Sequence, residues 1–280
     1  MSFISHPAIL SAEARARLLL KGELLVQRQV QPMLDLCEYA LNLSKTVFQP
    51  FEPEYAHQCL SITEYSNRIT LLCKAFSNEK RVRQILAHLL DVLGIEKSDA
   101  FCDRFVLRIV PPEGGHQTDR AKKLWAHRDT WCSNVYQQIN LWAPICPISR
   151  TRTITLFPDY WLKPIANNSE DWDIAELRRS RHCNNKSQYP TIPSLLEETR
   201  GVRVSVIAEP GDMVAFSGTH LHESTVDDSL RARISFDFRV VNLRDMQSGL
   251  SAPNCDGRAK NVNSDWFCRF TDNTSLLEVL

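Results

Sequence analysis

Residues 231–240 read RARISFDFRV, and this strictly alternating stretch decides the fold class. Its apolar side chains occupy every second position, so in an extended chain they all project from one face. The opposite face carries the polar residues Arg231, Arg233, Ser235, Asp237 and Arg239. The stretch therefore predicts a β-strand with one face in a hydrophobic core and the other in a polar environment.

Shorter runs of β-branched and aromatic residues, separated by Pro, Gly and polar turns, predict further strands. They lie at 104–110, 135–145, 151–157, 202–208 and 212–217. Before residue 99 the apolar residues recur mostly three and four positions apart, which predicts helices within 12–46, 53–75 and 79–94. Helices followed by many short strands predict an α+β chain whose β part is a sandwich, a barrel or a jelly roll.

The composition favours a protein that acts on a small molecule. Lys+Arg and Asp+Glu number 33 each in 280 residues, so no net charge attracts nucleic acid or an acidic membrane surface. Nine cysteines without a C-x-x-C pair predict reduced thiols instead of a disulfide framework or a paired-thiolate zinc site. The first residues, MSFISHPAILSAEARARLLL, carry charges where a signal peptide needs an apolar stretch, and no run approaches the ~18 apolar residues of a membrane span. We therefore expect a cytoplasmic protein.

Residues 126–134, AHRDTWCSN, match the H-R-D-x-x-x-x-N pattern of a protein-kinase catalytic loop. A kinase also needs a Gly-rich loop and a strand lysine upstream, and a D-F-G metal site a short way downstream. The sequence has none of these, and its nearest D-F, at Asp237, is followed by Arg239. The kinase interpretation is therefore excluded.

A metal site is the alternative use of this motif. On an extended segment His127 and Asp129 project from the same face, since they are two residues apart. The stretch GTHLHEST at 218–225 follows a predicted strand and offers His220 or His222 as a third ligand. Two histidines and one carboxylate are the ligand set of non-haem Fe(II) oxygenases. A dicarboxylate that chelates the metal with one end has a second, free carboxylate. An arginine at the start of the next predicted strand could form an ion pair with this second carboxylate.

Together these features resemble the Fe(II)/2-oxoglutarate-dependent oxygenases of the phytanoyl-CoA-dioxygenase-like group. The resemblance covers roughly residues 100–245 and depends on four motifs jointly. They are His127-x-Asp129, the stretch F-x-G-x-H-L-H that ends at His222, an Arg233-x-Ser235 pair eleven residues later, and Asn140-x-Trp142.

The resemblance implies an α+β fold with a double-stranded β-helix (jelly-roll) core and N-terminal helices packed on one sheet. It implies one oxygenase domain over 1–280. Within it we expect a helical part at 1–98, a core at 99–245 with a loop insertion near 158–200, and a C-terminal extension at 246–280.

The resemblance also implies the ligands of the site. Fe(II) would be bound by His127, Asp129 and His222. The cosubstrate 2-oxoglutarate would be held by Arg233 and Ser235, with Trp142 as a wall, and O₂ would be the second cosubstrate. The implied reaction is hydroxylation of an unactivated C–H, coupled to decarboxylation of 2-oxoglutarate to succinate and CO₂.

Two neighbours compete for these roles. His220 shares a strand face with His222, so it could contact the metal-binding residue from behind without binding the metal itself. Arg231 shares a face with Arg233 and is the alternative carboxylate partner.

No motif identifies the residues that contact the substrate. We expect Arg108, Trp125 and Trp131 at the substrate site, with structural roles as the alternative for each; Arg104 shares the strand of Arg108. The loop 111–125 is a candidate lid.

Three activities remain open at this stage. Hydroxylation in specialised-metabolite biosynthesis ranks above a phytanoyl-CoA-type lipid hydroxylase, and a catalytically silent cupin-like binding protein is the rival from another class. The carboxylate of Asp129 favours hydroxylation, because related halogenases have a small residue there to admit chloride. The sequence gives no signal for an oligomeric state.

Overall fold

The computed structural model describes residues 10–118, 121–180 and 189–280, together with the backbone of residues 3–5 and 181–182. The α-helices are α1 (Ala12–Leu19), α2 (Gln31–Phe48), α3 (Ala56–Cys59), α4 (Ile62–Asn78), α5 (Lys80–Val92), α6 (Thr130–Ser133), α7 (Ile174–His182) and α8 (Leu243–Gln247). The strands are β1 (Phe3–Ser5), β2 (Leu24–Gln27), β3 (Ala100–Cys102), β4 (Val106–Val110), β5 (Ile139–Pro144), β6 (Ile154–Leu156), β7 (Val204–Ser205), β8 (Met213–Ser217), β9 (His222–Ser224), β10 (Arg233–Asn242) and β11 (Cys268–Arg269). The α+β prediction is confirmed.

The N-terminal helices form where their local sequence favours them. The hydroxyls of Ser11 and Ser61 cap α1 and α4, each accepting a hydrogen bond from the backbone N–H three residues on, and Pro32 occupies the first turn of α2. Gly94, with a φ of +62°, lies just past the end of α5. The buried stripe of α5 follows the predicted helical spacing and comprises Val82, Ile85, Leu86, Leu89 and Leu90.

The prediction of helices within 12–46 did not include the strand β2. Leu24–Gln27 pairs antiparallel with β8, with Leu25 opposite Ala215. Leu24 and Leu25 pack into two different hydrophobic clusters, on opposite faces of the sheet. A strand buried on both faces has a continuous apolar run, which periodicity cannot distinguish from a helix segment.

The strands form two sheets, and their pairs are antiparallel apart from the parallel β1–β2 pair. The larger sheet has the order β1-β2-β8-β5-β10-β3-β11, with β4 also beside β10, and the smaller has the order β7-β6-β9. Trp142 and Val214 of the larger sheet share a hydrophobic cluster with Ile154 and Leu156 of the smaller one, so the two sheets pack against each other.

The alternation of residues 231–240 has the predicted effect on β10. Ile234, Phe236 and Phe238 lie in the main core together with residues of α2, α4 and α5, and the rings of Phe76 and Phe236 are 6.0 Å apart. The N-terminal helices therefore pack on one face of the larger sheet. The polar residues of β10 face the opposite way, toward the smaller sheet.

Two later segments complete the chain. Residues 158–200, predicted as a loop insertion, contain the helix α7 at Ile174–His182. The segment 246–280 is tied to the larger sheet, since β11 pairs with β3. Among the described residues, no helix combines the length and the apolar character needed to cross a membrane.

Candidate metal centre

Two chain segments meet at the candidate metal centre. His127 and His222 form an antiparallel bridge, in which the N–H of each donates to the other's carbonyl oxygen at 2.9 and 3.0 Å. Their rings lie side by side, with centroids 4.4 Å apart. The bridge fixes residues 95 positions apart in the sequence on one edge of the smaller sheet.

Asp129 reaches the same point by a different route from the one predicted. We expected His127 and Asp129 on one extended strand, but Asp129 has helical dihedrals (φ −64°, ψ −30°) at the start of α6. The chain thus turns immediately after the bridge. This turn still brings the carboxylate toward both histidines, with His127 Nε2 at 3.7 Å from Oδ1 and His222 Nε2 at 4.0 Å from Oδ2.

The ligand atoms of His127, Asp129 and His222 all lie within 4.8 Å of one another, close enough to hold one metal ion. Each histidine has its Nδ1 at a backbone carbonyl oxygen: His127 at Trp125 (2.7 Å) and His222 at His220 (3.0 Å). Such bonds make Nδ1 the protonated nitrogen and leave the lone pair on Nε2 for a metal. Burial, and then the neighbouring His222, lowers the pKa of His127 to about 3, which keeps its imidazole neutral.

The carboxylate of Asp129 is oriented by two further residues. Asn140 donates its side-chain N–H to Oδ2, and the guanidinium of Arg239 lies 3.6 Å from Oδ1. Burial alone would raise the pKa of Asp129, but Arg239 and the two histidines outweigh it and hold the pKa below its usual value. The carboxyl group of Asp129 is therefore an anion at neutral pH.

His220 has a structural role. Its ring contacts the carbonyl oxygens of Ser217 and Gly22, at 3.0 and 3.2 Å, and lies 4.5 Å from the ring of Trp161. The side chain points away from the metal group, and only its carbonyl oxygen supports His222. The choice of His222 over His220 agrees with this geometry.

The start of β10 brings a buried cation to the same cavity. Arg233 is 1% exposed, and its guanidinium donates to the carbonyl oxygen of Thr153 and, at 3.1 Å, to Ser224 Oγ. Burial, and then the neighbouring Arg108, lowers the pKa of Arg233 to about 9. The guanidinium carbon lies 5.8 Å from the ring centre of Trp142.

Three buried polar atoms around this cation have no hydrogen-bond partner in the described part of the chain: Arg233 Nε, Ser235 Oγ and Trp142 Nε1. Buried polar groups almost always have partners, so a cluster of unpartnered ones indicates a place for a polar ligand. Arg233 and Trp142 line the cavity, whereas Ser235, on the same strand face, is completely buried.

The cavity has a volume of about 30 Å³ and is lined by the metal group, Arg233 and a set of ion pairs. Arg108 lies 3.0 Å from Asp237, and Arg239 lies 3.9 Å from Asp237 and 3.1 Å from Asp103. Burial raises the pKa of Asp103 to about 7, and Arg239 opposes that effect. The metal group of His127, Asp129 and His222 therefore lies beside a wall of paired charges.

The other residues predicted for the site lie elsewhere. Trp125 is 70% exposed and its ring contacts Lys123, and Trp131 is fully buried in a hydrophobic cluster with Phe157. Neither lines the cavity, so the structure corrects their expected place at a substrate wall. Trp131 instead packs in the core. Its polar indole N–H can be buried there because it donates to the carboxylate of Asp256 at 2.7 Å.

Arg231, the alternative carboxylate partner, and Arg104 do not line the cavity. Arg231 donates to both carboxylate oxygens of Glu54, at 2.9 and 3.0 Å, and Arg104 is exposed. Of the three residues expected at the substrate site, Arg108 lines the cavity.

Sequence reasoning missed the part played by Arg239. The alternation of β10 places Arg239 on the polar face of Arg233, so the signal was present, but nothing in the sequence indicated that Asp129 would be its partner. The loop 111–125 contains Leu124, which lines the cavity; residues 119 and 120 of this candidate lid lie outside the described residues.

Comparison with known proteins gives weak structural likenesses only. No family model and no curated protein matches the sequence. EvdMO1 is 16% identical over 83% of this chain and 50% of its own, with a TM-score of 0.42, so this chain spans about half the length of EvdMO1. ThoJ, a non-haem monooxygenase, is 13% identical over 81% of this chain and 76% of its own, with a TM-score of 0.47.

A third solved structure is SnoK, a non-haem α-ketoglutarate-dependent carbocyclase from nogalamycin biosynthesis. It is 14% identical over 93% of this chain and 98% of its own, with a TM-score of 0.41. At such low identities and TM-scores, the chemistry of this chain has to follow from its own residues.

Proposed function

We propose that the chain is a non-haem Fe(II)/2-oxoglutarate-dependent oxygenase that hydroxylates an unactivated C–H of a small molecule. The observation that carries the proposal is the buried guanidinium of Arg233 in the cavity of a three-ligand metal group. Its hydrogen bonds go to the uncharged oxygens of Thr153 and Ser224. Burying a charge without a counter-charge is costly, so the site favours an anionic ligand.

The donor set fits both implied ligands. Two neutral imidazoles and one carboxylate suit Fe(II) and leave positions open for a chelating ligand. A dicarboxylate with a 2-keto group can chelate iron at one end and meet Arg233 at the other, where Ser235 Oγ and the indole N–H of Trp142 lack partners. The cavity thus provides for a metal and an anion together.

The strand order supports the finer fold assignment. In the larger sheet β4, β10, β5 and β8 are adjacent, and in the smaller one His127 extends the row β9-β6-β7. Two packed four-stranded sheets of this kind are what a double-stranded β-helix requires. We propose this core, as one domain, and membership of the phytanoyl-CoA-dioxygenase-like group.

When bound, Fe(II) and 2-oxoglutarate activate O₂ and supply the oxidant for the substrate, with succinate and CO₂ as coproducts. The protein's own residues position and isolate these groups. Asp129 stays ionised beside Arg239, and the two histidines keep Nε2 aimed at the metal position. Arg233 orients the cosubstrate through its far carboxylate. Apolar lining residues such as Phe216 exclude water from the same cavity.

The ion pairs in the cavity bear on the substrate. Arg108, Asp237 and Arg239 line it and are each about a fifth exposed, at 23, 17 and 20% of their side-chain surface. A polar substrate can hydrogen-bond to them, whereas an acyl chain would cover paired charges without compensation. This favours a polar specialised metabolite over a phytanoyl-CoA-type lipid, with Arg108 as a substrate-binding residue.

An anaerobic titration tests the proposal. Fe(II) and then 2-oxoglutarate are added to the protein without oxygen, and we expect a visible absorption band that requires both. Substrate-dependent succinate release from a panel of small molecules then separates an active oxygenase from a silent cupin-like binding protein. Absence of the band in the native protein would remove the oxygenase proposal.

A further inference from the structure

We propose that the segment 254–263, near the C-terminal end of the chain, is part of the scaffold of the metal centre. In this scaffold Arg128 and Asp256 are positioning residues that hold the two ligand-bearing segments together. The inference rests on the proposed metal centre, and it assigns a role to a segment for which the sequence indicated none.

Arg128 lies between two metal ligands, His127 and Asp129, but points away from them into the core. It is 1% exposed. It donates to the Thr219 carbonyl oxygen at 2.5 Å, and Thr219 lies three residues before His222. One guanidinium therefore ties the His127–Asp129 segment to the segment that carries the third ligand.

The same guanidinium also holds the insertion that follows β6. Its Nη2 donates to the carbonyl oxygens of Tyr160 and Lys163, at 2.7 and 3.1 Å. Its Nε donates to Asp256 at 3.1 Å. The planar fork of Arg128 thus reaches four separate acceptors, an arrangement that a lysine cannot reproduce.

Asp256 closes the arrangement from the other side. Its side chain is 5% exposed and accepts hydrogen bonds from three donors. Besides Arg128 these are the indole N–H of Trp131 at 2.7 Å and the backbone N–H of Ile165 at 3.1 Å. Each carboxylate oxygen accepts more than one contact, so removal of the charge leaves several buried donors without a full partner.

Further bonds fix the short helix α6, which follows Asp129. Asn134 adopts a left-handed conformation (φ 54°) and donates to the carbonyl oxygens of Ala259 and Asn261, at 3.2 and 3.4 Å. Asn263 donates its side-chain N–H to Cys132 O at 2.6 Å and its backbone N–H to Ser133 O at 2.9 Å. The part of the turn from Trp131 to Asn134, directly after Asp129 and Thr130, is therefore held by residues 256–263.

A buried ion pair is by itself weak evidence for stability, because desolvation offsets much of the attraction. The contacts here instead fix the relative positions of chain segments, since each joined segment carries or adjoins a proposed metal ligand. Misplacing a metal ligand weakens binding even in a folded protein.

The test compares Asp256→Asn with a matched control, Asp212→Asn, in the full chain. Asp212 is also buried, and it also accepts from an arginine (Arg28, 2.5 Å) and from backbone N–H groups. It anchors residues 28–29 and 209, however, and does not line the cavity. Fe(II) affinity is measured anaerobically, with Co(II) and its visible spectrum as a second metal.

We expect Asp256→Asn to weaken metal binding at least tenfold and to change the Co(II) spectrum, while Asp212→Asn leaves both within twofold at a similar loss of thermal stability. The metal-free protein provides a second readout, because the indole N–H resonance of Trp131 should shift in Asp256→Asn and stay in place in Asp212→Asn. If Asp256→Asn does not fold, Asn134→Ala and Asn263→Ala test the same contacts more mildly, with an expected loss of metal affinity of severalfold.

Native metal affinity in a folded Asp256→Asn protein, or equal loss in the Asp212→Asn control, would overturn the inference. Failure of the native protein to bind metal would instead remove the proposed function, and the Trp131 resonance would still report on the scaffold.

Discussion

The two ends of the cavity differ in how completely they are built. At the metal end, each ligand is held by a neighbour: the histidines by backbone carbonyls and Asp129 by Asn140 and Arg239. At the Arg233 end, three buried polar atoms lack partners in the described part of the chain. At the metal end the protein itself orients each of the three residues, whereas at the other end the hydroxyl of Ser235 and the indole N–H of Trp142 have no protein partner. Substitutions at the two ends should therefore change different quantities.

The largest effect is expected at the metal end. Replacing His127, Asp129 or His222 singly by Ala should weaken Fe(II) binding by more than ~100-fold, because even residues behind metal ligands typically contribute 10–100-fold. Turnover should fall in parallel, and circular dichroism should show a retained fold. Metal titration without oxygen measures the effect.

His220→Ala is the control for that series. Its ring packs on Trp161, so we expect lower thermal stability but iron affinity within a few-fold of native. Loss of iron binding in His220→Ala with retention in His222→Ala would reverse the ligand assignment.

Arg233→Ala should give the next largest effect and should act on the cosubstrate alone. A charge-assisted hydrogen bond is worth roughly 1.5–3 kcal/mol, so the affinity for 2-oxoglutarate should fall at least about tenfold. Iron affinity should change little, since Arg233 is not a ligand. The visible band of the anaerobic complex, titrated with 2-oxoglutarate and separately with Fe(II), gives the two affinities.

Two variants sharpen this result. Arg233→Lys should recover part of the loss, because an ammonium keeps the charge but not the fork. Arg231→Ala should leave the band unchanged, since Arg231 pairs with Glu54 outside the cavity. An unchanged cosubstrate affinity in Arg233→Ala would show that the anion binds elsewhere.

Ser235→Ala should separate the two ends of the cavity most clearly. Because Ser235 Oγ has no partner without ligand, its removal should leave the free energy of unfolding of the ligand-free protein unchanged or slightly raised. Binding of 2-oxoglutarate should weaken about three- to tenfold, from loss of one hydrogen bond worth roughly 1 kcal/mol. Denaturant unfolding with and without 2-oxoglutarate measures both the free energy of unfolding and the loss of 2-oxoglutarate binding. A destabilised ligand-free variant would mean that the hydroxyl already has a structural role.

Trp142→Phe should have the smallest effect. The ring remains beside Arg233 and the unpartnered indole N–H is lost, so we expect 2-oxoglutarate affinity to fall no more than about threefold. Equilibrium titration is the measurement. A larger loss than in Ser235→Ala would make the indole N–H a principal contact of the cosubstrate.

The sequence predicted local features of this cavity well. Strict alternation identified the two faces of β10, and the order of His127, Asp129 and His222 along the chain indicated the metal group. Short-range patterns of this kind depend only on strand geometry and on the chemistry of side chains.

Features that depend on tertiary contact could not be predicted. The helical turn at Asp129, the core position of Trp131 and the strand at 24–27 are each decided by what packs against them. Asp256 carries no motif at all, and its partner Arg128 is 128 residues away in the sequence. Spacing within a segment gives no information about such pairs.

The late position of Asp256 in the sequence has a consequence for the order of events in the cell. At a synthesis rate of roughly 5–20 residues per second, the ribosome adds Asp256 about 2 to 7 s after His222. In that interval the nascent chain contains all three proposed ligands but not the carboxylate that holds Arg128. Iron that arrives then would meet a loosely held set of ligands, and the proposed scaffold implies that stable loading waits until residue 256 has been synthesised and has folded into place.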